Sequence, residues 1–496
     1  MAGSEGETMR TSKATNCNSC YPRAFRVLFA LLFLVCLEAH SLSAQSLSLQ
    51  GLLGPSQTRL VVRDSLGLTG VLNLCALLGC STVESLGDPQ AQVFMIEVPS
   101  SLGSLLPVLN LNLLGVVSVE TDQIVQTQGA SVGTAPAYLF DQAPYPYYGA
   151  TVWHGYVFQT GNQLIRTLQT QAAFNTAGSG VIVADIDTGV DPNHPVLKNS
   201  LLPGYDFTRN QSGGSEMSDV SQSTVAVLDG DGTETAQVSQ STVAVLDQST
   251  VAVLDGGPYE AFGHGTMTAG IIHLVAPQAK IMPLKAFQAS GQGYNSDILR
   301  AIYYAVGHGA KVINMSFNYS TYSQELANAV NYATTSGVIC VAAAGNSGEQ
   351  ATVYPAALKG VIDVASTSND DTPSTFSNYG APPVWLAAPG EGVMTTYPFA
   401  TYAAGWGTSF STPFVTGETA LLVSMGNAQV NSGVNLSLGS LNLNLSLQSS
   451  TSLPNWEPQA ANALAHAQPI SDPQMGNGRL DTYQATQAWV NSLGSN

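Results

Sequence analysis

From about residue 160 onward the chain alternates near-continuous apolar runs with stretches of helical period, and this alternation restricts the fold more than any other feature. The runs cover residues 181–184, 280–284, 311–315, 337–342, 361–364 and 384–387. Strands that are apolar on both sides need cover on both faces, the condition met by a parallel sheet held between layers of helix. Helical stretches lie between several of them. Residues 296–306 put Ile298, Ile302 and Ala305 on one face behind a serine, and another helix is expected over 323–333. The expected class is α/β, with site residues following the carboxyl ends of strands.

The N-terminal part reads differently. Arg10, Lys13, Arg23 and Arg26 precede an apolar run over 27–37 and then Ser41 to Ala44, the pattern of a secretory signal over residues 1–44. That run is short for a bilayer span and no later run reaches the required length, so an exported chain without a transmembrane anchor is expected. Residues 57–128 suggest strand (59–62), helix (69–78), strand (92–98), helix (102–114) and strand (116–120), a small α+β unit within residues 45–130. A Pro/Tyr-rich stretch at 143–149 then suits a linker and maturation region over 131–160, and residues 161–496 form the large unit.

A net charge of −18 makes nucleic acid and anionic membrane poor partners. Cys17, Cys20 and Cys36 fall in the leader and Cys75 and Cys80 in the small unit, leaving Cys340 in an apolar strand as a small buried hydrophobe. Two segments look inserted, at about 210–258 and 430–455. In the first, Gln-Ser-Thr-Val-Ala-Val-Leu-Asp starts at Gln222, Gln240 and Gln248, too few and too irregular for a solenoid. Its acidic turn at 229–234 lacks full calcium-loop spacing. The second alternates leucine with Asn, Ser and Gly over 434–447, as in an amphipathic hairpin.

Four polar residues stand where chemistry is expected. Asp187 ends the first buried strand and can hold an imidazole. A single Asp-Thr-Gly excludes a one-chain aspartic-protease site, which needs two such carboxylates. His264 lies between Gly263 and Gly265 at the head of an apolar helix, a setting for a general base. Asn346, in Ala344-Gly345-Asn346, follows another strand and can donate to an oxyanion. Ser409 stands before the apolar run of 414–423, where a helix N-terminus favours developing negative charge.

Taken in order, Ile186-Asp187-Thr188-Gly189, Gly263-His264-Gly265-Thr266, Val312-Ile313-Asn314-Met315-Ser316, Ala344-Gly345-Asn346 and Gly407-Thr408-Ser409-Phe410-Ser411-Thr412-Pro413 resemble the subtilisin-like serine peptidases, from about residue 160 to 490. The resemblance implies a subtilisin-like sheet with helices on both faces, preceded by a ferredoxin-like propeptide that inhibits the enzyme until self-cleavage. It implies Ser409 as nucleophile, His264 as base and Asp187 as orienting group, with Asn346 and the Ser409 N–H as oxyanion donors. Ser316, Phe317 and Asn318 would pair with an extended peptide or protein substrate. Ala343, Ala344, Gly345 and Val353 would wall the primary pocket, and the size of Asn318, Tyr319 and Val353 leads us to expect small or medium apolar residues before the cut. No cofactor and no metal ligand set follow, since the helix after His264 runs into Val275-Ala276-Pro277 without a calcium loop. A monomer is expected. Asp185 departs from the family pattern: it shares a strand face with Asp187 and needs a partner or a raised pKa. The rival reading, a non-catalytic binding protein on this scaffold, is disfavoured by the intact four residues.

Overall fold

The computed structural model describes residues 57–103, 106–108, 115–126, 136–220, 244–245, 259, 261–380, 384–431, 437–438, 441–442 and 457–493. The expected signal segment lies outside the described residues, as do most of both inserts.

The small unit runs β1 (Gln57–Asp64), α1 (Leu68–Leu78), β2 (Thr82–Ser85), β3 (Val93–Pro99) and β4 (Val116–Thr121), with an antiparallel sheet in the order β2-β3-β1-β4. This is the split β-α-β order of ferredoxin-like units. Two features differ from expectation. Strand β2 was not anticipated, because Thr82 to Ser85 is half-exposed and carries no alternation. The expected helix over 102–114 is confined, among the described residues, to Ser100–Gly103 and Leu106–Val108. Pro107 supplies no N–H to continue a helix. Cys75 and Cys80 form a disulfide across the C-terminal end of α1. The chain then forms β5 (Ile124–Gln126).

Residues 136–158, within the stretch expected as linker, are built into the large unit. Strands β6 (Pro144–Tyr147) and β7 (Ala150–Trp153) form a hairpin. Tyr147 donates to Leu274 O at 2.5 Å and Tyr156 to Gly270 O at 2.7 Å, so the aromatic residues are anchored through their hydroxyls as well as their rings.

The large unit contains β8 (Ile182–Asp187), β9 (Tyr205–Asp206), β10 (Gln211–Ser212), β11 (Ala244–Val245), α2 (His264–Val275), β12 (Lys280–Lys285) and β13 (Gln292–Tyr294). It continues through α3 (Asn295–Gly307), β14 (Val312–Met315), α4 (Gln324–Thr335), β15 (Ile339–Ala343), β16 (Val361–Thr367) and β17 (Leu386–Pro389). The last elements are β18 (Val393–Tyr397), β19 (Thr401–Gly405), α5 (Thr408–Asn431), α6 (Glu457–Leu464) and α7 (Thr482–Leu493). Eight strands form the main sheet in the order β10-β9-β12-β8-β14-β15-β16-β17, parallel except at the β10 edge. Separate apolar clusters lie on its two sides: Ile281, Val183, Val312 and Val341 pack toward α2 and α5, while Met282, Ala184, Ile313 and Cys340 pack toward α3 and α4. The two-sided burial expected from the apolar runs is thereby met.

From β8 the chain moves outward to β12 on one side, then returns to β14 and proceeds the other way. The strand order reverses between β8 and β14, where open α/β sheets leave a crevice at the carboxyl ends. β18 and β19 form a hairpin leading into α5, and β11, from the second repeat copy, pairs along β19. In the other insert, Ser437–Leu438 pairs antiparallel with Leu441–Asn442, as a hairpin does.

The small unit sits on the N-terminal ends of α3 and α4. Asp122 accepts from Ser296 N at 2.8 Å, and Glu120 accepts from Gln324 N at 2.9 Å and Glu325 N at 3.2 Å. Each carboxylate thereby meets backbone donors that a helix leaves unpaired. Arg63 makes a two-pronged ion pair with Glu325, and β5 adds antiparallel to β13.

Candidate active site

Asp187 is the last residue of β8, and His264 opens α2 behind Gly263. His264 Nδ1 lies 2.7 and 2.9 Å from the two oxygens of Asp187, and Thr188 N donates to Oδ1 at 2.7 Å. Because Nδ1 faces an acceptor on both oxygens, the neutral ring carries its proton there and leaves Nε2 as the basic nitrogen. Burial opposes charging the imidazole, but Asp187 outweighs it, and the His264 pKa is raised above its ordinary value.

The loop around this pair requires glycine at two points. Gly263 has φ +91°, and a Cβ there would run into the Tyr397 ring. Gly265 lies against the Gly189 carbonyl, leaving no room for a side chain, while its N–H donates to Thr188 Oγ1 at 3.0 Å. Glu216, wholly buried, accepts from Gly263 N at 2.7 Å, from Thr188 Oγ1 at 3.2 Å and from Thr266 Oγ1. It binds the segments on either side of the Asp187–His264 pair together. Its pKa is pushed up to about 8, chiefly by burial.

Ser409 is the second residue of α5 and is 5 % exposed. Pro413, four residues on, has no N–H, so the Ser409 carbonyl lacks its intrahelical donor and accepts from Ser316 Oγ at 3.0 Å instead. Ser409 Oγ in turn donates to Ser316 O at 3.1 Å. The end of β14 and the start of α5 are locked by this reciprocal pair. His264 Nε2 is buried and makes no hydrogen bond among the described residues. The base is thus oriented and unoccupied, and a turn of the Ser409 side chain away from Ser316 O is required before proton transfer; such contacts commonly tighten only with substrate.

Asn346 follows β15. Its Oδ1 accepts from both Thr408 N and Thr408 Oγ1 at 2.8 Å, which fixes the amide beside the N-terminus of α5 and makes Nδ2 its donating end. Gly345 has φ +102°, and a Cβ there would meet the Asn378 amide at 2.5 Å and the Asn318 amide at 3.3 Å. Asn318 is therefore beside Gly345. Phe317, Asn318, Ala343, Ala344 and Val353 are all buried. Tyr319 and Tyr354 are bridged through their backbones, which brings the Asn318 and Val353 segments side by side.

The expected residues Asp187, His264, Asn346, Ser409 and Ser316 come together at the reversal point of the sheet. His194 and His273 are buried, and burial pushes His273 down to about 4, so neither is poised as a base at neutral pH. Glu216 and Thr408 escaped the sequence reading. Nothing in the pattern around Glu216 marks it, whereas Thr408 could have been noticed as a capping hydroxyl at a helix start. Asp185 does find partners: it accepts from Asn314 Nδ2 at 2.9 Å and lies 2.9 Å from Thr268 Oγ1.

A buried carboxylate, an imidazole with a free basic nitrogen, a serine at a helix N-terminus and a fixed amide are the parts of a serine hydrolase centre. The subtilase family model matches residues 178–441, and the chain belongs to this family of S8 peptidases. It is 37% identical over 275 residues to Thermitase of Thermoactinomyces vulgaris, covering 53% of this chain and 82% of that protein. It is 35% identical over 293 residues to Subtilisin Savinase of Lederbergia lenta, covering 56% and 93%. To the Intracellular serine protease of Paenibacillus polymyxa it is 32% identical over 279 residues, covering 53% and 73%. The chain is a subtilisin-like serine endopeptidase acting on protein substrates. No helix among the described residues is long and apolar enough to cross a membrane.

Proposed function

We propose that Ser409 attacks the scissile carbonyl while His264 Nε2 takes its proton, and that His264 then returns the proton to the leaving amine. Asp187 keeps the proton on Nδ1 and stabilises the imidazolium that forms. Asn346 Nδ2 and the Ser409 N–H donate to the tetrahedral oxyanion, and water releases the acyl group by the same steps in reverse. The observation that carries these roles is the 2.7 Å contact between His264 Nδ1 and Asp187, with Nε2 left unbonded among the described residues. Ser316, Phe317 and Asn318 pair with the extended substrate, and Ala343, Ala344, Gly345 and Val353 wall the primary pocket. Val353, at 6 % exposure, and Asn318, at 3 %, narrow that pocket, favouring small or medium apolar residues before the cut.

The enzyme is made as an exported zymogen, with residues 45–130 as propeptide and a catalytic domain that takes in residues 136–158 as well as the expected 161–496. Supporting this, β5 lies along β13 as an added antiparallel strand, a mode in which extended peptides are held. The expected propeptide boundary at residue 130 lies after β5, which ends at Gln126, and before the turn at Ala137–Phe140 that belongs with the large unit. The Cys75–Cys80 disulfide suits an oxidising compartment. Two measurements test this. A Ser409→Ala chain should be secreted with residues 45–130 still attached, and normal trimming of that variant would remove the self-cleavage claim. Profiling on a peptide library should favour Ala, Val or Leu before the cut, and a preference for Lys, Arg or large aromatics would contradict the pocket assignment.

A further inference from the structure

Below the three residues of the triad lies a second tier, one step down each supporting element. Asp185 is two residues before Asp187 on β8 and therefore on the same face of the strand. Thr268 is four residues after His264 on α2, and Thr416 is seven after Ser409 on α5, so each lies under its triad member on the same helix face. Asn314 of β14 joins them. Its Nδ2 donates to Asp185 Oδ1 at 2.9 Å and to Ser316 Oγ at 3.0 Å, and its Oδ1 accepts from Thr416 Oγ1 at 2.8 Å. Thr268 Oγ1 is 2.9 Å from Asp185 Oδ2. Every one of these side chains is at most 1 % exposed.

We propose that Asp185 is a positioning residue for the triad, held as the neutral acid in the resting enzyme, which fixes α2 and α5 against β8 beneath His264, Ser409 and Asp187. The protons decide its state. Thr268 Oγ1 has one proton and two oxygen neighbours, Asp185 Oδ2 at 2.9 Å and Gly265 O at 3.1 Å. With Asp185 protonated, its O–H donates to Thr268, whose hydroxyl donates to Gly265 O, and each proton has an acceptor. With Asp185 ionised, one of the two contacts loses its proton. Asn314 offers Asp185 one N–H, and Ser316 Oγ passes its own proton to Ser409 O.

The charged groups facing Asp185 are Asp187 on its own strand and His264 from α2. Opposite it on β12 stands Pro283, and β14 and α5 present the uncharged Asn314 and Thr416. Asp187, committed to His264, must stay ionised, and a second full charge on the next inward residue of a buried strand is opposed by both burial and repulsion. These two causes push Asp185 up to about 8.

The assignment rests on the triad roles proposed above, and the experiment separates the two. The processed enzyme, with Asp185→Asn and Asp185→Val, is titrated with a serine-directed phosphonate and assayed for kcat and KM across pH 5 to about 10. An asparagine reproduces the neutral acid: its NH2 donates to Thr268 and its oxygen accepts from Asn314. Asp185→Asn should keep kcat within about threefold and the acid-limb midpoint unchanged below pH 7, while the inflection near pH 8 in the parent weakens to the part that Glu216 contributes, which Asp185→Asn combined with Glu216→Gln removes. Asp185→Val, which strands Asn314 and Thr268, should lower kcat by about tenfold or more with little change in KM. A downward shift of the acid limb by about one unit in Asp185→Asn would show that a charge had been removed and overturn the neutral assignment. An unchanged kcat in Asp185→Val overturns the positioning role. If that variant does not fold, the Asp185→Asn profile decides alone. Failure of the phosphonate to label Ser409 in the parent enzyme defeats the triad roles themselves.

Discussion

Replacing Arg63 by alanine in the full chain should release the small unit from the catalytic unit by a predictable amount. Arg63 Nη2 lies 2.6 Å from Glu325 Oε2, with Nε 3.1 Å from both oxygens, and the two side chains are 15 % and 1 % exposed. Removing the cation strands a covered carboxylate, which costs about 3–5 kcal/mol where a buried pair is broken. Glu325 keeps hydrogen bonds from Ser118 Oγ at 2.7 Å and Asn328 Nδ2 at 3.3 Å, so the lower end applies. At 1.4 kcal/mol per factor of ten, about 3 kcal/mol corresponds to roughly a hundredfold weaker hold. The reverse change, Glu325→Ala, should cost less because the partly exposed guanidinium can reach water. The assay is the dilution at which half of the cleaved but still associated enzyme becomes active on a chromogenic peptide. A shift of less than threefold for Arg63→Ala, or a larger effect for Glu325→Ala, would refute the reasoning.

Three further outcomes follow from the geometry. Asn346→Ala should lower kcat by about a hundred- to thousandfold while KM stays within threefold, since the lost donor acts on the oxyanion and not on bound substrate. Gly263→Ala should destabilise the fold by about 1–3 kcal/mol, read as a lower Tm, because φ is +91° and the new Cβ meets the Tyr397 ring; an unchanged Tm would contradict that packing. Burial raises Asp185, Glu216 and Glu418 to about 8 and Asp363 to about 7. The stability these groups contribute as neutral acids is full below the ordinary carboxylate range and is lost as pH rises through their folded values. The stability of phosphonate-inactivated enzyme should therefore fall from pH 5 to pH 8, read as a falling Tm, by about 1.4 kcal/mol per pH unit for each group that is ionised in the unfolded chain and neutral in the folded one, and Glu216→Gln should flatten the slope.

Much of this molecule could be read from its sequence because its chemistry is local. Asp187, His264, Asn346 and Ser409 each stand next to glycine, alanine or threonine at a strand or helix end, and two-sided burial made the sheet strands visible as apolar runs. What escaped depends on distance along the chain. The partners of Asp185 lie 83 and 129 residues away, and Glu216 reaches Gly263 across 47 residues, so no periodic pattern could reveal them. The stretch around Tyr147 looked like a linker because Pro and Tyr dominate it, yet its hydroxyls are anchored to carbonyls of α2, a contact that composition does not encode. Strands β18 and β19 were missed because both faces of this hairpin are buried and Thr395 and Thr396 spend their hydroxyls on Met267 O and Thr266 O.

The central claim is that Ser409, activated by His264 and Asp187, is the nucleophile. It is tested most directly by mapping the adduct of a serine-directed phosphonate on the processed enzyme by peptide mass spectrometry. One adduct per molecule, on Ser409, is predicted, with labelling slowed by about a thousandfold or more in His264→Ala whose small unit has been removed in trans by the parent enzyme. An adduct on another residue, or labelling of Ser409 at an unchanged rate without His264, would contradict it.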